Sequence, residues 1–313
     1  MDYPDILVQR VNELYHDLIG EKYDHSHPEI FKRLPTRWRR LGKQFLLTQK
    51  PLKILDLGTG TGFVPLTIGD LLKKTDTFFC SDISNKILKV AEEHLKKKNF
   101  LCKFKFIKID AQSPLQLPLK QNSFDIITIN STLHHIKDAD AFLKEVDRVL
   151  NPKGLVFIAH EPNERFNSNL FLKLHSSFLK IFLCPKHTLT KVFRKIGLEN
   201  ILEYLYYTFA SPKINNKKIC TEINKILFKE GLIKKMILPK EIKRITDINA
   251  KNGFKPQLIF PNYKLLKIET YNHLSDEIAK KYNNKFILTY ERFLEKNFPG
   301  EGNTFFLIKQ KIH

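Results

Sequence analysis

Alternation of strand and helix patterns is the feature of this 313-residue sequence that most restricts its fold. Between residues 53 and 163, short apolar runs alternate with amphipathic segments; the runs are KILDLG, TFFCSDIS, FKFIKIDA, SFDIITIN and GLVFIAHEPN. Such alternation predicts a parallel sheet with right-handed crossovers and helices on both faces. The expected class is therefore a doubly wound α/β fold, whose ligand site lies outside the carboxyl ends of the strands.

The rest of the chain extends this core at both ends. We predict a helix over 5–20 that ends at Gly20, followed by short helices broken by Pro28 and Pro35, with Trp38 packed on the core. Beyond residue 163 the pattern is helical, and two more strands, PNYKLLKIETYN and NTFFLIKQKI, raise the expected total to seven. The sequence predicts four parts, namely an N-terminal helical leader (1–50), the ligand-binding core (51–163), a helical insertion (164–236), and closing helices and strands (237–313).

The loop after the first strand, ILDLGTGTGF, indicates the kind of ligand. Gly58, Gly60 and Gly62 let backbone N–H groups approach a ligand and adopt positive φ. The dinucleotide fingerprint G-x-G-x-x-G needs a third glycine at position 63, which is Phe63. Asp56, two residues before the first glycine, would repel a pyrophosphate but attract an ammonium group. The loop therefore suits a nucleoside with an amino-acid tail.

These motifs, in this order, resemble the class I S-adenosylmethionine-dependent methyltransferases, particularly the small-molecule type 11 group, over about residues 50–163. The resemblance implies a Rossmann-like, mostly parallel seven-stranded sheet and S-adenosylmethionine as cofactor. It implies that Asp56 lies near the methionine amino group, and that Thr59 and the three glycines shape the loop. In CSDIS, Asp82 would bind both ribose hydroxyls and Ile83 would lie on an adenine face.

Further motifs extend the implied cofactor site. Within DAQSPLQLPLK, Asp110 would accept a hydrogen bond from the adenine amino group, and the Ala111 N–H would meet the ring. The segment NSTLHH, which begins at Asn130, would line the methionine tail and the acceptor pocket. Tyr23, in a Tyr-Asp pair, would cover the cofactor or else belong to a surface turn.

The expected reaction is an in-line displacement, in which the enzyme mainly positions the nucleophile; a base is needed only for a protonated acceptor. His135 and Glu161 are the candidate bases, beside His160 at the end of the fifth strand. The alternatives are a packing role for His135 and a loop or helix-terminal carboxylate for Glu161. We expect no metal, since neighbouring His134 and His135 would point to opposite faces of an extended chain.

The distribution of net charge along the chain does not identify the methyl acceptor. The net charge of +20 divides into +5 for residues 1–163 and +15 for residues 164–313. A basic half could face nucleic acid or anionic lipid, or merely reflect a lysine-rich composition. We expect a small, apolar or lipid-like acceptor, with the insertion serving as a lid, an interfacial helix on anionic membrane, or a dimer contact. The alternatives are an RNA methyltransferase and a non-catalytic S-adenosylmethionine-binding protein.

The sequence also predicts a cytoplasmic protein. The N-terminus has no apolar signal-peptide core, and no apolar run reaches the roughly 18 residues of a membrane span. The cysteines at 80, 102, 184 and 220 are scattered and form no C-x-x-C pair. Such spacing favours neither a disulfide framework nor a zinc site.

Overall fold

The computed structural model describes residues 3–20, 28–46, 50–110, 116–172, 174–175, 216–273 and 285–312 of the chain. Seven strands form a single sheet within these ranges. They are β1 (Lys53–Leu57), β2 (Thr77–Asp82), β3 (Lys103–Lys108), β4 (Phe124–Asn130), β5 (Leu150–Pro162), β6 (Lys264–Tyr271) and β7 (Thr304–Gln310). Their order across the sheet is β3-β2-β1-β4-β5-β7-β6.

The sheet is mostly parallel, which confirms the predicted fold class. Strands β1 to β5 pair in parallel, while β7 runs antiparallel to both of its neighbours, β5 and β6. Strand β1 pairs with β2 on one side and β4 on the other, so connections leave it in opposite directions. This reversal opens a crevice at the carboxyl ends of β1 and β4.

Both faces of the sheet are buried, which explains the continuous apolar runs in the sequence. Ile54 and Phe78 belong to the core on one face, whereas Leu55 and Ile127 belong to the core on the other. The sequence Asn-Pro-Lys-Gly at residues 151–154, which is typical of a turn, lies inside β5. There the register with β4 jumps from Leu150 to Leu155, so the turn residues loop out of the ladder.

Helices cover the sheet and its carboxyl edge. They are α1 (Asp5–Ile19), α2 (Pro28–Phe45), α3 (Phe63–Ile68), α4 (Asn85–Lys96), α5 (Ala139–Val149), α6 (Glu164–Ser168), α7 (Asn216–Lys229), α8 (Pro239–Thr246) and α9 (Lys285–Asn297). Ser84 caps α4 by accepting a hydrogen bond from the Ile87 N–H. No helix in the described ranges has both the length and the apolar character that a membrane crossing requires.

Helices α1, α7 and α8 form a helical cap with an apolar interior of its own. Val8 and Val11 of α1 pack with Ile223 of α7 and Ile245 of α8, all buried. These contacts join the predicted leader, the end of the predicted insertion and the start of the predicted closing part. The four-part division itself stays a prediction, and residues 176–215 of the insertion lie outside the described residues.

The region before the sheet differs from its prediction. Instead of short helices broken by proline, α2 is continuous; Pro28 begins it and Pro35 lies inside it. Proline is well accommodated in a first helical turn, where its missing N–H has no partner to lose. At Pro35 the burial of neighbouring Leu34 and Trp38 offsets the lost hydrogen bond.

Trp38 is fully buried, as predicted, and the arginines that flank it form ion pairs. The Trp38 ring packs against Phe157 and Phe306, with centroids 6.1 and 4.8 Å away. Arg37 and Arg40 both pair with Glu269, and Arg39 pairs with Asp70 at 2.6 Å. Helix α3 ends at Ile68, and a 3₁₀ turn follows it.

Candidate active site

A cavity opens at the carboxyl ends of β1, β2 and β4, where the topology predicts a ligand site. Helix α1 of the cap forms its opposite wall. The polar part of its lining is Gln9, Asn12, His16, Gly58, Thr59, Gly60, Thr61, Asp82, Asn130, Ser131, Thr132 and His135. Apolar side chains, among them Ile83, Ile109 and Phe142, complete it.

The glycine loop has the conformation that its sequence indicates. Gly58, Gly60 and Gly62 have φ values of +74°, +57° and +95°. A Cβ at Gly58 would lie 2.3 Å from Thr132 Oγ1, so glycine is required there for space as well as conformation. The N–H groups of Gly58 and Thr59 both donate to Ser81 O at 2.9 Å, which fixes the loop against the end of β2.

Asp82, at the end of β2, links this loop to the next helix. Its Oδ2 accepts from the Gly60 N–H and its Oδ1 from the Ser84 N–H, both at 2.9 Å. The side chain is 7% exposed, and this burial raises the pKa of Asp82 to about 6. Because each carboxylate oxygen has further lone pairs, Asp82 can also accept from ligand hydroxyls in the cavity.

Asp56 lies behind the loop, outside the cavity wall, with 1% of its surface exposed. Its Oδ1 accepts from Thr128 Oγ1 at 2.5 Å, whereas its Oδ2 is buried without a partner among the described residues. Burial raises the pKa of Asp56 to about 7, although the Thr128 hydrogen bond opposes this. A buried carboxylate oxygen of this kind suits a cationic ligand group.

Glu161 does not face the crevice, which corrects the prediction. It is fully buried and accepts from the N–H groups of Thr132, Leu133 and His134 at 2.6, 2.9 and 3.2 Å. Its Oε2 also lies 2.9 Å from His134 Nδ1. Glu161 therefore holds the turn after β4 in place, as the alternative of a loop carboxylate anticipates.

His135 lies in the cavity wall, as predicted. Its Nδ1 is 2.5 Å from Thr246 O at the end of α8. A carbonyl oxygen can only accept, so Nδ1 carries the proton and Nε2 keeps the lone pair. Burial, together with the neighbouring His134, lowers the pKa of His135, which is therefore neutral near pH 7. At His134 burial acts in the same direction, but Glu161 outweighs it and raises the pKa.

The two histidines lie on the same side, contrary to the expectation of opposite faces. Residues 133–135 form a 3₁₀ turn instead of an extended strand, which places the two ring centroids 4.0 Å apart. With Asp247 they form a group whose ligand atoms lie within 4.8 Å of one another. The absence of a metal stays a prediction.

The remaining predicted residues are differently placed. Asn130 lines the cavity, and its Oδ1 accepts from Trp38 Nε1 at 3.1 Å. Asp110 is exposed just beyond β3 and outside the cavity wall, where Ile109 lies instead. Tyr23 and Ala111 lie outside the described residues.

Sequence reasoning missed the polar residues that α1 contributes. Gln9, Asn12 and His16 are spaced at i, i+3 and i+7, which places them on one helical face. The His16 ring meets the His135 ring edge-on, with centroids 5.7 Å apart. A polar stripe within an otherwise apolar helix face is a signal that could have identified this wall.

Comparisons with known proteins agree with this geometry. A family model described as a methyltransferase domain matches residues 48–233. Demethylmenaquinone methyltransferase of Thermotoga maritima is 33% identical over 173 residues, which cover 53% of this chain and 68% of that protein. The ubiquinone/menaquinone biosynthesis C-methyltransferase UbiE of Shewanella frigidimarina is 28% identical over 148 residues, covering 47% and 57%. The chain thus spans little more than half the length of the Shewanella relative.

Solved methyltransferases are similar at lower identity. A methyltransferase of Haloferax volcanii, solved with its Trm112 activator, is 14% identical with a TM-score of 0.48, covering 97% of this chain and 98% of that one. An S-adenosylmethionine-dependent methyltransferase of Aquifex aeolicus is 24% identical with a TM-score of 0.36, covering 44% and 68%.

The family model and the Thermotoga relative define the class of protein. The chain belongs to the class I S-adenosylmethionine-dependent methyltransferases, in the type 11 group. Enzymes of this class use S-adenosylmethionine as their cofactor. The residues present fit that cofactor, since Asp82 in the cavity wall can accept from hydroxyls, and the buried, unpartnered Asp56 Oδ2 behind the glycine loop would be stabilised by a cationic group nearby.

Proposed function

We propose that this enzyme methylates a small, apolar or lipid-like acceptor. The supporting observation is the composition of the cavity wall. Asp82 is the only Asp, Glu, Lys or Arg side chain in the part of the wall that the structure describes. RNA binding depends on basic groups that neutralise phosphates, and this wall offers none, whereas a neutral molecule meets mostly apolar surface. The relatives named for ubiquinone and menaquinone biosynthesis point in the same direction.

The cofactor would be held by the residues that the resemblance implies. Asp56 would face its ammonium group, Asp82 its ribose hydroxyls, and Ile83 its adenine ring. Thr59 and the glycine loop would supply backbone N–H groups. When bound, S-adenosylmethionine supplies an electrophilic methyl group on a sulfonium.

His135 would act as the base for an acceptor that arrives protonated. Its Nδ1–H donates to Thr246 O, which holds the ring and leaves Nε2 to take the proton. Because its pKa is lowered, the imidazole is neutral and able to accept at neutral pH. Glu161 keeps the turn that carries His135 in position through its three backbone hydrogen bonds. The remaining contribution to catalysis would come from cavity walls that exclude water and fix the line of attack on the methyl group.

A surface near the end of β5 supports access to a lipid-like acceptor. Leu170, Phe171, Leu174, Phe286 and Phe293, here called the apolar patch, are each 53–69% exposed. On α9, the exposed cations Lys285, Arg292 and Lys296 are within three residues of Phe286 or Phe293 along the helix. Exposed aromatic and aliphatic side chains with a basic rim suit the surface of an anionic membrane. We place the reaction in the cytoplasm, where the buried thiols of Cys80, Cys102 and Cys220 stay reduced.

The test is methyl transfer from methyl-labelled S-adenosylmethionine into fractionated cell extract. Lipid, small-molecule, protein and RNA pools are separated after incubation with the enzyme. We expect label in the lipid or small-molecule pool. Label confined to RNA or protein would contradict the proposal, as would a complete lack of transfer.

A further inference from the structure

Asn12 presents a hydrogen-bond acceptor that nothing in the described protein satisfies. It lies in the cavity wall on α1, is 1% exposed, and its Oδ1 is buried without a partner among the described residues. Buried side-chain acceptors are nearly always paired, and leaving one unpaired is unfavourable. A ligand that places a hydrogen-bond donor next to Asn12 Oδ1 would supply the missing hydrogen bond.

The orientation of the Asn12 amide is determined by its other end. Its Nδ2 donates to Val8 O at 3.0 Å and approaches His135 O at 3.4 Å. Exchanging the amide oxygen and nitrogen would set an oxygen against both carbonyls. The oxygen is therefore the end left for a ligand.

His135 adds a second acceptor on the same wall. With its Nδ1–H engaged by Thr246 O, the ring offers only the Nε2 lone pair. The 3.4 Å approach of Asn12 to the His135 backbone shows that the two residues are neighbours. A ligand beside them must be a donor, and a molecule with only ether or carbonyl oxygens would leave both unpaired.

We infer that the methyl acceptor carries a hydroxyl group that donates to Asn12 Oδ1, so that Asn12 is a specificity-determining residue. This inference rests on the proposed function, since it concerns the acceptor of that reaction. A hydroxyl-bearing ligand pairs the buried oxygen, whereas its methyl ether does not. Asn12 thereby selects hydroxyl-bearing compounds over isosteric ethers and holds the acceptor beside His135.

The experiment compares 1-naphthol with 1-methoxynaphthalene, which differ in the donor. Binding of each is measured by ligand-observed NMR with S-adenosylhomocysteine present, in wild type, Asn12→Leu and the exposed control Asn85→Leu. Wild type and the control should bind 1-naphthol about tenfold more tightly than the ether. Asn12→Leu should lose that preference, with its melting temperature and S-adenosylhomocysteine affinity close to wild type.

The wild-type comparison tests the inference even if the variant does not fold. Equal affinity for the two naphthalenes, or binding of neither, would overturn it. So would an Asn12→Leu variant that loses S-adenosylhomocysteine affinity as strongly as 1-naphthol affinity, since Asn12 would then serve the cofactor. Failure of the proposed function is distinguishable, because it shows as label in the RNA or protein pool whatever the naphthalenes do.

Discussion

At the scale of single residues, Asp56 and Asp82 are two buried carboxylates at the carboxyl ends of β1 and β2. Burial raises both pKa values, to about 7 and about 6. In the ligand-free protein they hold protons that an unfolded chain would release near pH 4, so they destabilise the fold as pH rises from about 4 to 7. A cationic ligand beside Asp56 would relieve this, because it favours the ionised form.

The first prediction concerns the pH dependence of cofactor binding. Below pH 7 the ligand-free Asp56 carboxyl is protonated, so binding an ammonium group there first requires loss of that proton. The Kd for S-adenosylmethionine should rise by up to about tenfold per pH unit as pH falls below 7. Calorimetric titrations between pH 5.5 and 7.5 measure it.

Asp56→Asn provides the comparison. It should bind weakly, and its Kd should lack the part of the pH dependence that Asp56 causes, keeping any part due to Asp82. Identical pH profiles for the variant and wild type would show that Asp56 does not meet the ammonium group.

The second prediction concerns His135. His135→Gln removes the Nε2 lone pair, so kcat for a protonated acceptor should fall by about 10²–10⁴. The Kd for S-adenosylmethionine should stay within about threefold. Single-turnover methyl transfer, with the acceptor found in the labelling assay, measures the first quantity. An unchanged kcat would assign His135 the packing role.

Some residues could be assigned from sequence and others could not. Asp82 and Asn130 are the last residues of β2 and β4, two strands of the crevice, so their place in the wall is predictable from topology. Glu161 also lies near the end of a strand, β5. Its side chain is buried and not in the cavity wall because it accepts hydrogen bonds from the N–H groups of the turn after β4. The polar stripe of α1 marks Asn12 as unusual, but the cavity that this stripe faces is set by the packing of α1 against the rest of the fold.

At the scale of elements, the glycine loop and the turn after β4 are fitted to each other. Gly58 lies against Thr132, which donates its N–H to Glu161, so loop, turn and β5 form one contact chain. Displacing one of these elements would move the others, and the cavity wall with them.

The third prediction tests this fit with a matched pair. Gly58→Ala places a Cβ 2.3 Å from Thr132 Oγ1, while at Gly60 a Cβ meets no described atom within 4 Å. Both positions have positive φ, which alone disfavours alanine by about 1–2 kcal/mol. In urea denaturation Gly58→Ala should be clearly the more destabilised, and it should also bind S-adenosylmethionine more weakly. Equal loss in both variants would contradict the steric argument.

Element boundaries were the weakest part of the sequence prediction. The strands were placed correctly because their apolar runs are short and end at glycine or polar residues. Helix α2 continues through Pro35 because Leu34 and Trp38 anchor it to the sheet, a contact that local proline rules do not include. The helical cap joins segments more than 200 residues apart, and amphipathic periodicity alone cannot name such a partner.

At the scale of the whole molecule, the sheet order places the glycine loop, His135 and the helical cap around one crevice. The class of fold was predictable because alternating strands and helices have few topological solutions. The position of α1 over the crevice was not, since it depends on α7 and α8.

The fourth prediction concerns the apolar patch. Phe286→Ser with Phe293→Ser should reduce binding to vesicles of phosphatidylcholine and phosphatidylglycerol by about tenfold or more, because both side chains are more than half exposed. Leu101 is 70% exposed and lies outside the apolar patch. The control Leu101→Ser should therefore bind the vesicles as wild type does. Co-sedimentation measures both. If wild type does not bind these vesicles, the proposed contact with an anionic membrane is wrong.

Calorimetric titration of S-adenosylmethionine into wild type, Asp82→Ala and the surface control Asp140→Asn tests the site most directly. We expect wild type and the control to bind alike, and Asp82→Ala to bind at least about tenfold more weakly, because the Gly60 hydrogen bond and the proposed contacts of Asp82 with the ribose hydroxyls are lost. Equal affinity in all three proteins would mean that the cofactor lies elsewhere, and it would contradict the account.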